Sequence, residues 1–275
     1  MAEGFDISHD RLAVLVIASR SSPESVYELY LRRMWPETLR RGRDGMWPVD
    51  VFFVFGSDSR VDDLEELGIP PDNIIVAPSL ETYSPGILLK TAHALRLLAA
   101  RGYRNAFRTN ISSLVAPERL LEHVHENRGR VTYSSGIVFW GLRQHLIKYG
   151  EDPAFLATLT AFESDAYCSG SGFFIDASEI AALLRRLPQL AAADPEHRLI
   201  DDVSIGLCLP PKDGSPRSLD GFTEVFTAGN EAEWPELALR PFAHARLEHL
   251  EPEAADRALD LLLPPRRATA HDAAL

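Results

Sequence analysis

Two adjacent carboxylates, Asp201 and Asp202, are the most chemically suggestive pair in the sequence. The surrounding pattern predicts a short helix from Ile200 to Leu209, and a helix N-terminus favours negative charge. One carboxylate could cap the helix while the other points into a cleft, where it could accept a proton as a general base. Two carboxylates that only cap the helix fit the pattern equally well.

A second candidate is the segment from Ser169 to Gly172, which reads Ser-Gly-Ser-Gly inside an otherwise apolar stretch. Glycine weakens a strand and often marks the close approach of a ligand or of another backbone. The segment is neither a Gly-x-x-x-x-Gly-Lys phosphate loop nor a dinucleotide fingerprint, which needs a third glycine. Two interpretations are possible. The segment is either a simple β-bulge or part of a ligand pocket lined by Ser169, Gly170, Ser171 and Gly172.

Small and cationic residues follow the first predicted strand. Leu12 to Ala18 form a continuous apolar run, which is typical of a strand buried on both faces of a largely parallel sheet. Ligands of open α/β sheets bind beyond the carboxyl ends of strands. Ala18 and Ser19 could therefore let backbone amides approach a nucleotide, while Arg20 pairs with a phosphate. A plain turn whose serines cap the next helix explains the same residues.

Polar side chains stand at two further places in the pattern. Lys90 lies near the start of the predicted apolar helix Ile87–Ala100, where it could help a helix N-terminus to neutralise a diphosphate. A lysine whose stem packs on a core helix is the simpler alternative. Arg108, Asn110 and Ser112 lie in or just after another predicted strand, an arrangement that suits hydrogen-bonded ligand recognition or only a turn.

The elements that must position these residues alternate along the chain. The remaining predicted strands and strand-like stretches are Val51–Phe55, Asn73–Val76, Asn105–Thr109, Val131–Trp140 and Ala166–Ile175, and the remaining helices are Glu24–Arg40, Val61–Leu67, Pro117–Asn127 and Ser178–Leu187. This alternation predicts a three-layer α/β fold with a mixed, mostly parallel sheet and helices on both faces. We expect one domain over residues 1–263, with a nucleotide-binding half to about residue 115, an acceptor-binding half beyond it, and a loose tail over 264–275.

Composition excludes several classes of protein. The 275 residues carry 28 Lys and Arg against 40 Asp and Glu, a formal charge of −12, which disfavours general binding to nucleic acid or to anionic lipid. Two cysteines, Cys168 and Cys208, are too few for a disulfide framework or a cysteine-built zinc site. No signal peptide is evident, and no apolar run near the N-terminus approaches the ~20 residues of a membrane span. We expect a cytoplasmic protein with no transmembrane segment.

Taken in order, these segments resemble the β-1,3-galactosyltransferase and Fringe-like glycosyltransferases, which have the GT-A fold and use nucleotide sugars. The matching segments are Leu12–Ser22, Arg32–Trp35, Glu81–Tyr83, Lys90-Thr91, Ser169–Gly172, Asp201–Gly206 and, more faintly, His244–Arg246. One more residue than usual separates Tyr83 from Lys90. The acidic-Asp-Val-x-x-Gly element after a Gly-x-Gly strand is moderately specific, and the order of the segments carries the rest of the likeness.

The resemblance implies a GT-A-like, Rossmann-like fold and an inverting transfer of a sugar from a nucleotide diphosphate to an acceptor hydroxyl. By this likeness Asp202 is the general base, and Asp201 is the cap or its substitute. The residues implied in donor binding are Ala18, Ser19, Arg20, Tyr83, Lys90, Arg108, Asn110, Ser112 and His244. Ser169 to Gly172 would line the pocket for the sugar and the acceptor.

The sequence departs from the family at its metal motif. The family has Asp-Asp-Asp or Asp-x-Asp at a strand end, which holds Mn²⁺ or Mg²⁺ against the donor diphosphate, whereas this chain has Asn110-Ile111-Ser112. A hard divalent cation there loses its anionic ligands. We therefore predict metal-independent binding of the diphosphate by Arg20, Lys90 or Arg108, or loss of activity.

Two other functions compete with this interpretation. The first is a non-catalytic nucleotide- or sugar-binding protein that kept the fold with a degenerate site. The second is an unrelated α/β enzyme such as a methyltransferase, which is disfavoured because no Gly-x-Gly-x-Gly follows the first strand.

Overall fold

The uninterrupted apolar run near the N-terminus forms the central strand β1 (Leu12–Ile17), which is buried on both faces. The computed structural model describes residues 11–19, 26–44, 49–62, 64–127, 133–148, 152–209 and 216–263. Alternate side chains of β1 enter two separate hydrophobic cores, Leu12, Val14 and Val16 on one side and Ala13, Leu15 and Ile17 on the other. A strand that faces two cores cannot alternate with polar residues, which is why it reads as continuously apolar.

The main sheet is mixed around this strand. In the described part of the chain it has the order β10-β6-β9-β4-β1-β2-β3, and these strands are β2 (Val49–Phe55), β3 (Ile74–Val76), β4 (Asn105–Asn110), β6 (Tyr133–Ser135), β9 (Gly172–Asp176) and β10 (Arg217–Ser218). Strands β4, β1, β2 and β3 are parallel neighbours, and β6 and β10 are also parallel. Strand β9 is antiparallel to both of its neighbours, β4 and β6.

Helices cover both faces of this sheet. The helices are α1 (Val26–Asp44), α2 (Gly86–Ala100), α3 (Pro117–Glu126), α4 (Leu142–Lys148), α5 (Pro153–Thr158), α6 (Ala177–Ala193), α7 (Asp201–Cys208), α8 (Trp234–Leu239) and α9 (Pro252–Leu262). Helices α1, α3, α8 and α9 contribute to one core, and α2, α4, α5, α6 and α7 to the other. The predicted three-layer α/β fold is confirmed.

Three predicted elements change character in the structure. The described part of the predicted strand Val131–Trp140 is divided into β6 in the main sheet and β7 (Val138–Trp140) in a separate pair of strands. The strand-like stretch Ala166–Ile175 is divided into β8 (Ala166–Cys168), which pairs with β7 (Val138–Trp140), and β9 in the main sheet. Ser169 to Ser171 form the turn between them, because the Gly172 N–H bonds back to the Ser169 carbonyl at 3.3 Å. The predicted helix Val61–Leu67 is only a 3₁₀ turn at Glu65–Leu67.

A small second sheet joins the C-terminal part of the chain to the end of β4. It consists of β5 (Ser113–Val115), β11 (Thr223–Phe226) and β12 (His244–Leu247), with β12 between the other two. Strand β12 is antiparallel to β5, so residues near the C-terminus lie beside the strand end at Asn110.

The described residues include no helix that is both long and apolar enough to cross a membrane. The predicted tail over 264–275 lies outside the described residues.

Candidate active site

A cleft of about 490 Å³ opens beyond the carboxyl ends of β1 and β4. It brings together nearly all of the residues predicted from the sequence, and these are Ala18, Ser19, Tyr83, Lys90, Arg108, Asn110, Ser112, Ser169, Gly170, Ser171, Asp201 and Asp202. The placement follows the rule for open α/β sheets, in which the loops after parallel strands meet at one edge. Arg20 lies outside the described residues.

Helix α7 brings the paired carboxylates into this cleft. Asp201 is buried and accepts a hydrogen bond from Arg108 Nη2 at 2.6 Å. Asp202 accepts the backbone N–H groups of Gly170, at 3.1 Å, and of Val203, at 2.8 Å. The preceding residue, Ile200, is the N-cap and makes no side-chain cap bond. The two carboxylates thus have different partners and are not simply helix caps.

Asp202 has the character of a proton acceptor. Burial, and then the charge of Asp201, raise the pKa of Asp202 to about 6, against an ordinary value of 3.8. Its hydrogen bonds from Gly170 and Val203 and the nearby Arg108 act in the opposite direction. A carboxylate with this pKa is ionised at neutral pH yet binds a proton more readily than an ordinary aspartate, which suits a general base.

The glycines of the two matched motifs lie in close contact with other parts of the protein. A Cβ at Gly170 would lie 3.1 Å from Arg108 Nη1, and one at Gly172 would lie 2.9 Å from Phe107 Cζ and 3.0 Å from His244 Nε2. A Cβ at Gly206 would meet Tyr167 Cβ at 2.4 Å, so this glycine lets α7 lie directly against β8. Gly172 itself does not line the cleft.

Arg108 is fully buried and only partly satisfied. One of its nitrogens binds Asp201, and its guanidinium carbon stands 5.8 Å from the centre of the Phe173 ring. Its Nε and Nη1 atoms have no hydrogen-bond partner within the described chain. Buried N–H groups are rarely left without a partner.

Lys90 is buried in a network that closes one wall of the cleft. Its Nζ donates to the Ala18 carbonyl at 2.9 Å and to Glu81 at 2.5 Å. Glu81 also accepts the Gly56 backbone N–H and the Ser59 hydroxyl, which ties the loop after β2 to the segment before α2. Burial lowers the pKa of Lys90, and Glu81 opposes that shift. The charge of Lys90 is therefore largely neutralised by Glu81 within the protein.

The segment Asn110–Ser112, at the end of β4, is fixed by two hydrogen bonds of Ile111. The buried indole of Trp35 donates to the Ile111 carbonyl at 2.8 Å, and the Ile111 N–H donates to the Ile17 carbonyl at 3.2 Å. Asn110 and Ser112 line the cleft. The Arg-x-x-Trp element of the sequence thus positions this loop through its tryptophan.

The part of the cleft around Asn110 and Ser112 is poorly suited to a divalent metal ion. Asn110 and Ser112 offer only neutral oxygens, and the nearby carboxylates of Glu81 and Asp201 are bound to cationic side chains. No group of three or more His, Cys, Asp or Glu residues that could hold a metal occurs in the described ranges. Hard divalent cations need several anionic or carbonyl oxygens arranged around one point.

The structure does not bring His244 into the cleft. Its ring is fully buried, with Nε2 3.2 Å from the Thr109 hydroxyl and Nδ1 3.2 Å from the Thr223 hydroxyl. Burial, and then the charge of Arg246, lower the pKa of His244 to about 3, so the ring is neutral. His244 joins β12 to the main sheet, whereas the resemblance had implied that it binds the donor.

Other residues reach the cleft without having been assigned to it from the sequence. They include Tyr27, Glu81, Arg246, Glu248 and His249. Arg246 lies two residues beyond His244 and shares its face of β12, so it extends toward the cleft along the same strand. The available signal was the strand-like alternation around His244 and Arg246, which becomes informative only once β12 is known to pair with β5.

The fold is that of the GT-A-type glycosyltransferases. A glycosyltransferase involved in glycosylation of the major capsid of PBCV-1 superposes with a TM-score of 0.50 at 9% identity, covering 91% of this chain and 99% of that one. An active-site mutant of LgtC gives 0.51 at 13% identity, over 90% and 94% of the two chains. Mouse xyloside xylosyltransferase 1 gives 0.50 at 9%, over 87% and 97%. No family model and no curated protein matches the sequence.

Proposed function

We propose that this chain transfers a sugar from a nucleotide diphosphate donor to an acceptor hydroxyl, with inversion and without a divalent metal. The observation that carries the proposal is Asp202, a carboxylate that faces the cleft with a pKa raised to about 6. The GT-A-type fold supports sugar transfer in general. The narrower likeness to the β-1,3-galactosyltransferase and Fringe-like enzymes stays a prediction from the sequence.

In the proposed reaction the acceptor hydroxyl attacks the anomeric carbon of the donor sugar. A new bond forms between that carbon and the acceptor oxygen, and the bond to the phosphate oxygen breaks with its electron pair leaving on the diphosphate. The acceptor proton passes to an Asp202 carboxylate oxygen. A base whose pKa lies near the working pH is effective in this role because it is mostly ionised yet retains proton affinity.

The remaining cleft residues are assigned by their chemistry. Arg108, two of whose nitrogens have no partner among the described residues, stabilises the departing diphosphate. Lys90 contributes less, since Glu81 already neutralises it. Asn110 and Ser112 supply neutral hydrogen bonds to the donor, and Tyr83, 68% exposed at the mouth of the cleft, offers an aromatic face.

Donor screening followed by one variant tests the proposal. UDP-, GDP- and dTDP-sugars are compared by thermal shift with EDTA and with Mn²⁺, and stabilising donors are tested for transfer to sugar acceptors. At a ligand concentration of about 100 Kd the stability should rise by about 2.7 kcal/mol. The Asp202→Asn variant should lose transfer activity. The matched control is Asp72→Asn, which makes the same substitution at an exposed turn outside the cleft lining. Transfer by Asp202→Asn at nearly the wild-type rate would contradict the assignment.

A non-catalytic nucleotide- or sugar-binding protein is the second candidate. The neutral strand end at Asn110 and Ser112 favours it, because this is where the resembled family keeps its metal ligands. Tight binding of a nucleotide sugar without transfer to any acceptor, and without hydrolysis, would support this function over the first.

A further inference from the structure

The cleft contains two arginines whose guanidinium groups are buried and incompletely bonded. Arg108 is 1% exposed, and its Nε and Nη1 atoms have no hydrogen-bond partner in the described part of the chain. The Nε and Nη1 atoms of Arg246 are in the same condition. Both side chains line the cleft. Two residues that line the same cleft therefore have four buried donor atoms with no acceptor among the described residues.

Arg246 reaches this space because β12 is bonded to the strand end that lacks the metal motif. Arg246 is in register with Ser113, and the next N–H, that of Leu247, donates to the Ser112 carbonyl at 2.9 Å. The backbone of Arg246 thus lies beside the loop in which the resembled family has carboxylates and a metal ion, and its side chain lines the same cleft as that loop. Carboxylates at Asn110 and Ser112 would be able to neutralise this arginine, whereas the amide and hydroxyl present cannot.

This arrangement is unfavourable in the absence of a ligand. Leaving a buried donor without a partner costs about 1–3 kcal/mol, and two like charges in a partly desolvated site repel each other. Burial lowers the pKa of Arg246, Glu248 opposes this, and the nearby Arg108 lowers it further. Glu248 attracts Arg246 but does not satisfy its Nε and Nη1. An anion placed between the two arginines would relieve both penalties.

We propose that Arg108 and Arg246 together bind the diphosphate of the donor, and that Arg246 supplies the positive charge for which the resembled family uses a metal ion. The identity of the anion rests on the proposed function. A diphosphate carries oxygens on two phosphorus atoms and can accept from both guanidinium groups at once. Gly170 contributes as well, since a side chain there would crowd Arg108 Nη1, one of the free donors.

Inorganic pyrophosphate tests the anion site without knowledge of the base or sugar. Its binding is measured by calorimetry in EDTA for the wild type, for Arg246→Gln and for Arg246→Lys. We expect Arg246→Gln to weaken binding about 10- to 100-fold, since bonds to charged groups are the strong ones. Lysine should restore part of the loss, because it keeps the charge but not the planar donors. The matched control is Arg257→Gln, an exposed arginine paired with Glu231 outside the cleft.

The outcomes separate this inference from the proposed function. Unchanged pyrophosphate affinity in a folded Arg246→Gln overturns the inference, and so does pyrophosphate binding that requires Mn²⁺. Binding of glucuronate in preference to pyrophosphate, lost in Arg246→Gln, would assign the pair to a sugar carboxylate and also overturns it. Nucleotide-sugar transfer that is as fast in Arg246→Gln as in the wild type overturns the inference but does not contradict the proposed function. Arg246-dependent pyrophosphate binding with no transfer of any sugar supports the anion site and contradicts the enzyme.

Discussion

Replacing Asp202 with asparagine should stabilise the fold near neutral pH even though it removes the proposed base. Burial and the charge of Asp201 raise the pKa of Asp202 from 3.8 to about 6. A carboxyl group with a raised pKa binds its proton more tightly in the folded chain than in the unfolded chain, so its ionisation destabilises the fold. The wild type should therefore lose stability as the pH rises from about 4 to about 6, and asparagine avoids this loss.

The magnitude follows from the shift and from the bonds that asparagine keeps. A rise of about two pKa units corresponds to about 3 kcal/mol, at about 1.36 kcal/mol per unit. Gly170 and Val203 donate to the two different carboxylate oxygens. Asparagine has a single acceptor oxygen, so one bond worth about 1 kcal/mol is lost. The variant should gain about 2 kcal/mol at about pH 8 and should gain nothing from this source below about pH 4.

Urea unfolding of the wild type and of Asp202→Asn, at intervals between about pH 4 and pH 8, measures this directly. Asp72→Asn, on the exposed turn, is the control and should show no pH-dependent gain over the wild type. A variant less stable than the wild type at about pH 8 would refute the reasoning. So would a difference between the two proteins that is the same at both ends of the pH range, because the gain must come from ionisation.

The other predictions concern the same cleft and its supports. For the proposed sugar transfer, kcat/KM should fall about tenfold per pH unit below about pH 6 as Asp202 takes up its proton. A profile that is flat from pH 5 to 8 would exclude Asp202 as the base. Gly172→Ala should destabilise the fold by about 1–3 kcal/mol in urea unfolding, because the new Cβ would lie 2.9 Å from Phe107; an unaltered midpoint would contradict this packing. Trp35→Phe should cost about 1–3 kcal/mol by leaving the Ile111 carbonyl without its donor, and unchanged urea stability would show that this bond is replaced.

The first half of the fold was predictable from the sequence because its signals are local. The apolar runs at Leu12–Ile17 and Val49–Phe55 are long, because both faces of each strand are buried. Each run therefore predicts a strand without information from the rest of the chain. The small sheet was missed because its strands are three or four residues long and because β11 is only half-buried. Its partners come from distant parts of the chain, which a local pattern does not reveal.

The sequence predicted which residues line the cleft, but it did not predict which of them form ion pairs. Residues that follow parallel strands share one edge of a sheet, so the joint placement of Ser19, Asn110 and Ser112 follows from topology. The pairing of Arg108 with Asp201 joins residues 93 positions apart, and no spacing rule encodes it. The motif glycines also gave an ambiguous signal, since the close neighbours of Gly172 are the protein's own Phe107 and His244.

The acidic character of the chain does not by itself exclude an anionic substrate, because two of the carboxylates in the cleft are paired with cationic side chains. Glu81 is matched by Lys90, and Asp201 is matched by one nitrogen of Arg108. The carboxylates of Asp202 and Glu248 also line the cleft, together with guanidinium donors of Arg108 and Arg246 that have no hydrogen-bond partner in the described part of the chain. Charges farther away than about 8–10 Å are largely screened at physiological salt, so the net charge of −12 has little influence at this point. Because the positive charge is built into the chain, donor binding should respond to the loss of Arg246 and not to a chelator.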